Sequence, residues 1–275
     1  MTSKILLSLC CFAAVCLLFS CIKDPNWPPS QKKGDITGKV IMYDSMGVAL
    51  SNHAGVLVTI DSTGLSAITD ATGAYSFKKV KAGQYNFSYS KEGYGTYRII
   101  HQLHTGGTTA TQLPDAEVGK IYDGPTVTNF DYFGLGSPNN PQIVTVTDFA
   151  SPMRLPAASV LYMDTIPNLS KTNFRGYIRY AALQGIQDSM YYWTPDIDPH
   201  VIRADSVLLK ARHLYFYLAF DNLRDIKYID EQGRTIHPCT GKRLGAFQLY
   251  GALFEENPYS SRQAGDGTQL RFKQR

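Results

Sequence analysis

The chain has 275 residues and a net charge of +4, with 18% charged and 12% aromatic residues. Few charges and many Tyr and Phe residues favour a β-rich fold over a helical one. The small positive charge is not gathered into a basic cluster along the chain, which argues against a nucleic-acid-binding protein.

Residues 1–20 predict an export signal. Lys4 precedes an apolar run from Ile5 to Phe19, which has the length of a secretory signal core and is too short to span a bilayer comfortably. The run ends in Leu18-Phe19-Ser20-Cys21, which resembles the lipobox of bacterial lipoproteins. The resemblance implies cleavage before Cys21 and acylation (palmitate-type chains) of that residue. The alternatives are an ordinary cleaved signal or a buried helix.

Residues 21–33 predict a tether. Pro25, Pro28 and Pro29 remove backbone donors and favour extended conformations. The start, Cys21-Ile22-Lys23-Asp24, loosely resembles the acidic export signals of surface lipoproteins of Bacteroidota. Together with the lipobox, it implies a protein anchored by lipid in the outer membrane, at its periplasmic or its cell-surface face.

Cysteine usage fits this interpretation. Once the signal is removed and Cys21 carries lipid, Cys239 is the one cysteine left in the chain, so no intramolecular disulfide is expected. The motif His237-Pro238-Cys239 lacks two ligands of a structural zinc site, which favours a free thiol, either buried or partly exposed. The motif Asp196-x-Asp198-x-His200 lies in a proline-bracketed loop and favours a solvated turn over a metal site.

Residues 34–113 predict a first domain, a β-sandwich. Short alternating strands are separated by turn signals every eight to twelve residues. The segment from Asp70 to Gly73 predicts a tight turn between two short strands, with Asp70 bonding its own backbone and Gly73 at positive φ. Gly83 is expected to make a second turn at positive φ.

These segments carry a family resemblance. The quoted residues are Ala54-Gly55-Val56, Thr69-Asp70-Ala71-Thr72-Gly73-Ala74-Tyr75-Ser76-Phe77, Val80-Lys81-Ala82-Gly83-Gln84-Tyr85 and Lys91-Glu92-Gly93-Tyr94. The pattern resembles the carboxypeptidase regulatory-like domain, a small transthyretin-like sandwich. The resemblance implies a non-catalytic module, and Lys81-Ala82 departs from it where a Pro commonly precedes the Gly.

Residues 114–124 predict a hinge, and 125–275 a second β-rich domain. Strong alternation marks strands at Arg175–Tyr180 and Leu214–Phe220. Leu209 stands six residues before Tyr215, a spacing that resembles the tyrosine corner of fibronectin type III and immunoglobulin-like domains. The expected fold class is therefore all-β, a transthyretin-like sandwich followed by an immunoglobulin-like or fibronectin-III-like sandwich region.

Motifs for catalysis are missing from the sequence. It holds no Gly-x-Ser-x-Gly, His-Glu-x-x-His or phosphate-binding glycine loop, which predicts a protein that is not an enzyme and takes no cofactor or metal. Tyr191-Tyr192-Trp193 is a candidate glycan-stacking platform, with a core role for Tyr191 and Trp193 as the alternative.

Five Asp-Ser/Thr-methyl triplets resemble the acceptor motif for O-glycosylation of exported Bacteroidota proteins, although such steps are also common in turns. The acceptors are Ser45, Ser62, Thr165, Ser189 and Ser206.

Two functions are expected from these features. The first is a non-catalytic outer-membrane lipoprotein that presents β-sandwich modules for adhesion, spacing or assembly of a surface complex. The second is a surface glycan-binding lipoprotein of a nutrient-uptake system. The expected partners are the membrane, through the N-terminal lipid, and a glycan or an outer-membrane protein complex.

Overall fold

The computed structural model describes residues 32–122, 127–137, 140–149, 158–180, 191–193, 199–211, 213–241 and 243–250. For 127–137, 140–149, 191–193, 199 and 243–250 it describes the backbone alone. The described residues are strands joined by turns, with two short helices, which confirms the all-β class. Within these ranges, no helix is long and apolar enough to cross a membrane.

The first unit contains eight strands in two facing sheets. In one sheet β1 pairs antiparallel with β4 and parallel with β7 and β8. The other sheet runs in the order β3-β2-β5-β6 and is antiparallel throughout. The strands are β1 (Lys33–Tyr43), β2 (Leu57–Ile60), β3 (Leu65–Ile68), β4 (Ala74–Lys81), β5 (Gly83–Ser90), β6 (Tyr97–His104), β7 (Thr111–Gln112) and β8 (Ala116–Gly119).

The core of this sandwich follows from period-2 alternation. Successive strand residues point to opposite faces, so every second apolar side chain enters the space between the sheets. Both sheets contribute completely or nearly completely buried side chains to one cluster. It includes Ile36, Val40 and Met42 from β1, Tyr75 and Phe77 from β4, Phe87 and Tyr89 from β5, and Ala116 and Val118 from β8.

The predicted turn at Asp70–Gly73 is confirmed, whereas the positive φ expected at Gly83 is wrong: the chain bends at Ala82 between β4 and β5. Gly73 has φ +85°, and Oδ1 of Asp70 accepts hydrogen bonds from the amides of Thr72 (2.8 Å) and Ala74 (3.0 Å). This turn carries the chain from β3 in one sheet to β4 in the other. Gly83 opens β5 without positive φ; a Cβ there would lie 3.2 Å from the Tyr85 ring, so its small size makes room for that phenol.

The hinge predicted at 114–124 is wrong for residues 116–119. They form β8, whose register with β1 runs from Val40↔Ala116 to Tyr43↔Gly119. Ala116 and Val118 are completely buried. Of the residues that suggested a hinge, Pro114 precedes this strand of the core and Gly119 is its last residue.

The described parts of the second region contain nine strands and two short helices. Its largest sheet is antiparallel, in the order β12-β11-β14-β17, and a separate antiparallel sheet has the order β13-β10-β9. The strands are β9 (Val127–Ser137), β10 (Asn140–Phe149), β11 (Ala158–Asp164), β12 (Gly176–Tyr180), β13 (Tyr191–Trp193), β14 (His213–Asp221), β15 (Tyr228–Ile229), β16 (Thr235–Ile236) and β17 (Arg243–Tyr250). The helices are α1 (Pro199–Arg203) and α2 (Ser206–Leu209).

Strand β11 is buried on both faces. One face carries Val160 and Tyr162, which cluster with Tyr217 and Ala219 of β14, and Tyr162 stacks on Tyr217 at 5.6 Å between ring centroids. The strands predicted at 175–180 and 214–220 are confirmed as β12 and β14. The tyrosine corner at Tyr215, the immunoglobulin-like topology and the domain limits at 34–113 and 125–275 stay predictions.

Candidate functional site

Residues 222–240 join the two units, and we call them the docking segment. They follow β14 and reach back to the first sandwich. Asn222 is completely buried; its Nδ2 donates to the carbonyls of Asp44 (2.7 Å) and Lys120 (3.0 Å), and its Oδ1 accepts from the amide of Arg224 (2.9 Å). A single side chain thus holds two loops of the first unit against the second.

Three glycines let the docking segment approach the sandwich backbone. A Cβ at Gly95 would lie 2.6 Å from the carbonyl of Pro238, and one at Gly119 would lie 2.5 Å from Cδ1 of Ile226. A Cβ at Gly47 would lie 2.7 Å from the amide nitrogen of Arg224. At Gly95 and Gly47 the near atoms are backbone, so the contact in this form requires glycine there, whereas at Gly119 the near atoms belong to side chains that would have to shift.

Buried apolar groups fill the contact, which we call the seam. Tyr43, Ile226 and Cys239 form a cluster of their own, with Ile41 and Tyr97 packed against it. The Cys239 thiol donates to the carbonyl of Gly119 at 3.4 Å, and burial raises its pKa to about 12. The predicted free thiol is therefore confirmed, and of the two expected environments it has the buried one. A protonated, enclosed thiol is a packing group rather than a nucleophile.

Charged groups frame the seam. The Arg224 guanidinium lies over the Tyr43 ring, 4.7 Å from its centroid, and pairs with Glu117 at 2.6 Å. Arg98 of the sandwich bridges Asp61 (2.6 Å) and Glu231 of the docking segment (2.7 Å). Half-buried ion pairs of this kind contribute more to how the two units are oriented on each other than to stability.

A pocket of about 280 Å³ opens at the seam. Its walls come from both units, with Tyr94 and Thr96 on the sandwich side and Lys171, Thr172 and Tyr228 on the other. The Lys171 ammonium donates to the carbonyl of Thr240 at 3.0 Å, and burial lowers its pKa. Burial raises the pKa of Tyr228. The pocket combines aromatic surface, hydroxyl groups and one cation, a composition suited to binding a small polar ligand.

A charged cluster links the docking segment to strands β12 and β14. Arg179 Nε contacts Oδ2 of Asp221 at 2.9 Å and Oδ1 of Asp225 at 3.2 Å, and Nδ1 of His237 lies 3.6 Å from each of the same oxygens. Asp221 and His237 are each 1% exposed. Their burial closes them to a substrate from solvent, which favours a structural role in holding the segment to the sheet.

The structure describes some of the predicted site residues and not others. Cys21 and Ser189 lie outside the described residues, and Tyr191, Tyr192 and Trp193 form β13 beside β10 with their side chains outside the description. Asp196 and Asp198 lie outside as well, while His200 is exposed in α1. Across the described part of the chain, no group of three His, Cys, Asp or Glu residues is placed to hold a metal ion.

The four described acceptor candidates lie at turns and at a helix start. Ser62 and Ser206 are exposed, and Ser45 and Thr165 are half-buried. The preceding acid has a structural partner in each case. Asp44 accepts from the amide of Met46, Asp61 pairs with Arg98, Asp164 accepts from the amide of Thr165, and Asp205 caps α2 through the amides of Val207 and Leu208.

Sequence reasoning missed the seam pocket. Its residues are contributed by loops far apart in sequence, and neither Lys171 nor Tyr228 lies in a pattern that marks it. The one available signal was the segment Gly93-Tyr94-Gly95, in which two glycines around an aromatic residue indicate close backbone approach.

Comparison with known proteins shows only distant structural likeness. No model of a known protein family matches the chain, and no curated protein matches its sequence. Among solved structures, a DUF3823 family protein from Bacteroides ovatus is similar over 77% of this chain and 96% of its own, with 14% identity and a TM-score of 0.26. A candidate carbohydrate binding protein from Bacteroides uniformis is similar over 80% and 99%, with 11% identity and a TM-score of 0.27.

A shorter match is to a type II cohesin–X-dockerin complex from Acetivibrio cellulolyticus, with 24% identity and a TM-score of 0.27. It covers 31% of this chain, which spans 56% of the matched chain. At TM-scores below 0.5, we draw nothing about function or family from these three similarities.

Proposed function

We propose that the chain is a non-catalytic lipoprotein of Bacteroidota type that holds two β-rich units at the outer membrane as one rigid body. It would serve adhesion, spacing or the assembly of a surface complex. The observation that supports this proposal is the seam, where two loops of the first unit converge on the buried side chain of Asn222. We also assign 34–113 to the carboxypeptidase regulatory-like, transthyretin-like sandwiches, on the motifs around Asp70 and Gly83.

Rigidity follows from the kind of contact. Glycine-limited backbone packing, a buried amide with three hydrogen bonds and an apolar cluster are each lost when the units separate. Contacts between domains are often mobile, but a contact with a buried core of its own resists this. A spacer or assembly module gains from such rigidity, because a partner bound at one unit is held at a fixed orientation to the other.

The test is whether the units unfold together. Asn222→Ala leaves two carbonyls without their donor and should cost about 1–3 kcal/mol of unfolding free energy. It should also split a single unfolding transition into two. Asn173→Ala, at an exposed turn, is the matched control and should leave the transition unchanged. If Asn222→Ala and Asn173→Ala gave the same unfolding curve, a rigid seam would be refuted.

A second candidate function is glycan binding, favoured by the seam pocket. Tyr94 and Tyr228 offer aromatic surface, and Thr96 and Thr172 offer hydroxyls. Tyr191, Tyr192 and Trp193 stay proposed as a further stacking platform. If the protein is retained on immobilised polysaccharides and the Tyr228→Ala variant is not, the result would support glycan binding at the seam pocket. Retention lost only on Trp193→Ala would move the site to β13.

O-glycosylation of Ser45, Ser62, Thr165, Ser189 and Ser206 is also proposed. Exposure favours Ser62 and Ser206 as acceptors over the half-buried pair, Ser45 and Thr165. Mass spectrometry of the mature protein from its own cells should find hexose-bearing peptides at those two serines first. Unmodified peptides at all five positions would refute the proposal.

A further inference from the structure

The ammonium of Lys171 is a half-buried cation without a carboxylate partner in the described part of the chain. Its one hydrogen bond there is to the carbonyl of Thr240. Asp221 acts on it electrostatically but pairs with Arg179 instead, and the Cys239 thiol is protonated. A lysine in this position keeps donor capacity for an anion that enters the pocket, since an ammonium carries three N–H donors.

The surroundings of Lys171 suit a ring with hydroxyl groups. Neither Tyr94 nor Tyr228 uses its hydroxyl in a hydrogen bond among the described residues, and both line the same pocket. Thr96 and Thr172 are exposed at its mouth. The volume of about 280 Å³ lies just below the usual range for ligand pockets, which limits the occupant to about one ring-sized unit.

Capture of a peptide carboxylate fits this pocket less well. Sites for chain termini use free backbone amides, or a strand edge that adds a strand. Here the amide of Gly95 donates to the carbonyl of Gly119 at 2.9 Å, and the amide of Ile121 donates to Gly93 at 3.0 Å. Recognition therefore falls to side chains, with hydroxyl groups and one cation.

We propose that the seam pocket binds an acidic monosaccharide unit, a hexuronate, with its carboxylate on Lys171 and its ring against Tyr94 and Tyr228. This inference rests on the second candidate function, glycan binding. It adds the charge of the sugar and the residue that selects it. The carboxylate of a hexuronate would pair with the Lys171 ammonium, and its hydroxyl groups would bond to the phenols and threonines.

The experiment is calorimetric titration of the mature protein with D-glucuronate, methyl glucoside, acetate and an acetylated tripeptide with a free carboxylate. We expect glucuronate to bind best, at least tenfold more tightly than methyl glucoside, and to weaken as salt rises. Lys171→Met keeps the aliphatic stem and should weaken glucuronate binding at least tenfold, while Lys171→Arg should retain most of it. Lys39→Met, at an exposed position on β1, is the matched control and should bind as the wild type does.

The outcomes separate the two hypotheses. Equal binding of glucuronate and methyl glucoside, unaffected by Lys171→Met, would overturn the acidic selection and leave glycan binding in place. Binding of the tripeptide without either sugar would assign the pocket to peptides and overturn both. If none of the four probes gives a heat of binding, and the protein melts normally, both hypotheses are also overturned.

Discussion

At the scale of single residues, one turn design recurs three times. Asp44, Asp70 and Asp230 each accept the amide of the glycine three positions on, through the backbone carbonyl, at 2.9–3.1 Å. The carboxylate of each also accepts amides two and four positions on. The glycines, Gly47, Gly73 and Gly233, have φ between +76° and +85°. In these three turns the Asp supplies the hydrogen-bond acceptors and the Gly supplies the backbone conformation.

Gly73 should be far less tolerant of a side chain than Gly64. Both have positive φ, +85° and +73°, but a Cβ at Gly73 would lie 2.0 Å from the carbonyl oxygen of Val40, whereas Gly64 has open space. Gly64→Ala should cost about 1–2 kcal/mol, the cost of the left-handed conformation. Gly73→Ala should cost at least about 2 kcal/mol more, because β1 or the turn must move. Urea unfolding of both variants measures this, and equal costs would contradict the steric account.

The role of a residue could be predicted from sequence where the groups that it contacts lie close to it in the chain. The pair of Asp70 and Gly73 acts within four residues, so the sequence showed its turn. Gly83 acts through the ring of Tyr85, which covers it, and a spacing rule cannot distinguish such a contact from a turn. Asn222 was missed because its partners, Asp44 and Lys120, lie more than one hundred residues away in the chain.

At the scale of elements, the sandwich core contains a polar pair. The hydroxyls of Tyr75 and Tyr89, on strands of opposite sheets, lie 2.7 Å apart. Gly38 in β1 makes this possible, since a Cβ there would lie 2.3 Å from the Tyr75 oxygen. The two phenols thus form one hydrogen bond across the core, and each satisfies the other.

The destabilising effects of removing the two hydroxyls should not be additive. Tyr75→Phe or Tyr89→Phe leaves a buried hydroxyl unpaired and should cost about 1–3 kcal/mol. The double variant replaces both partners and should cost clearly less than the sum of the single costs. Unfolding free energies of the four proteins form the cycle. Additive costs would show that the hydroxyls do not interact.

The same pair predicts a loss of stability in alkali. Burial raises the pKa of Tyr75 from 10.0 to about 12, and burial raises that of Tyr89 as well. Because the folded pKa exceeds the unfolded one, the stabilisation is complete below about pH 10 and is lost as pH rises toward the folded values. Unfolding free energy should therefore fall steeply between about pH 10 and 12. The double Phe variant should fall less steeply over the same interval, and parallel curves would contradict this.

Strands were easier to predict than their connections. Alternation identified β5 because a half-buried strand records its environment in every second residue. Strands β12 and β14 were also predicted, although β14 is buried on both faces from Phe216 to Asp221. Strand β8 has only four residues, and the turn-forming residues around it outweighed the buried Ala116 and Val118. Its parallel pairing with β1 joins distant parts of the chain, and short-range patterns do not record such pairing.

At the scale of the whole molecule, the seam and the charged cluster are continuous in the chain. Asp221 ends β14 inside the charged cluster, and the next residue, Asn222, binds the first sandwich. The ion pair within the second unit and the hydrogen bonds to the first unit are therefore made by neighbouring residues. This continuity could not be predicted from sequence, because the docking segment has few apolar residues and little periodicity.

The whole molecule also has a predicted point of attachment. Ten residues separate Cys21 from Lys32, the first described residue, and an extended stretch of that length reaches at most about 40 Å. An acylated Cys21 would thus keep Lys32, which directly precedes β1, within that distance of the membrane. Each buried methylene of the acyl chains contributes about 0.8 kcal/mol, so several chains make the attachment effectively permanent.

Replacing Cys21 should release the protein from the membrane. Cys21→Ala removes the thiol that would carry the lipid, so fatty-acid labelling should disappear and the protein should move to the soluble fraction. Cys239→Ala is the matched control: its sulfur is buried in the seam, so labelling and membrane association should be unchanged. Labelling and membrane association that survive Cys21→Ala would refute the lipid anchor. A soluble Cys21→Ala protein that still shows one unfolding transition would show that the rigid seam forms without the membrane.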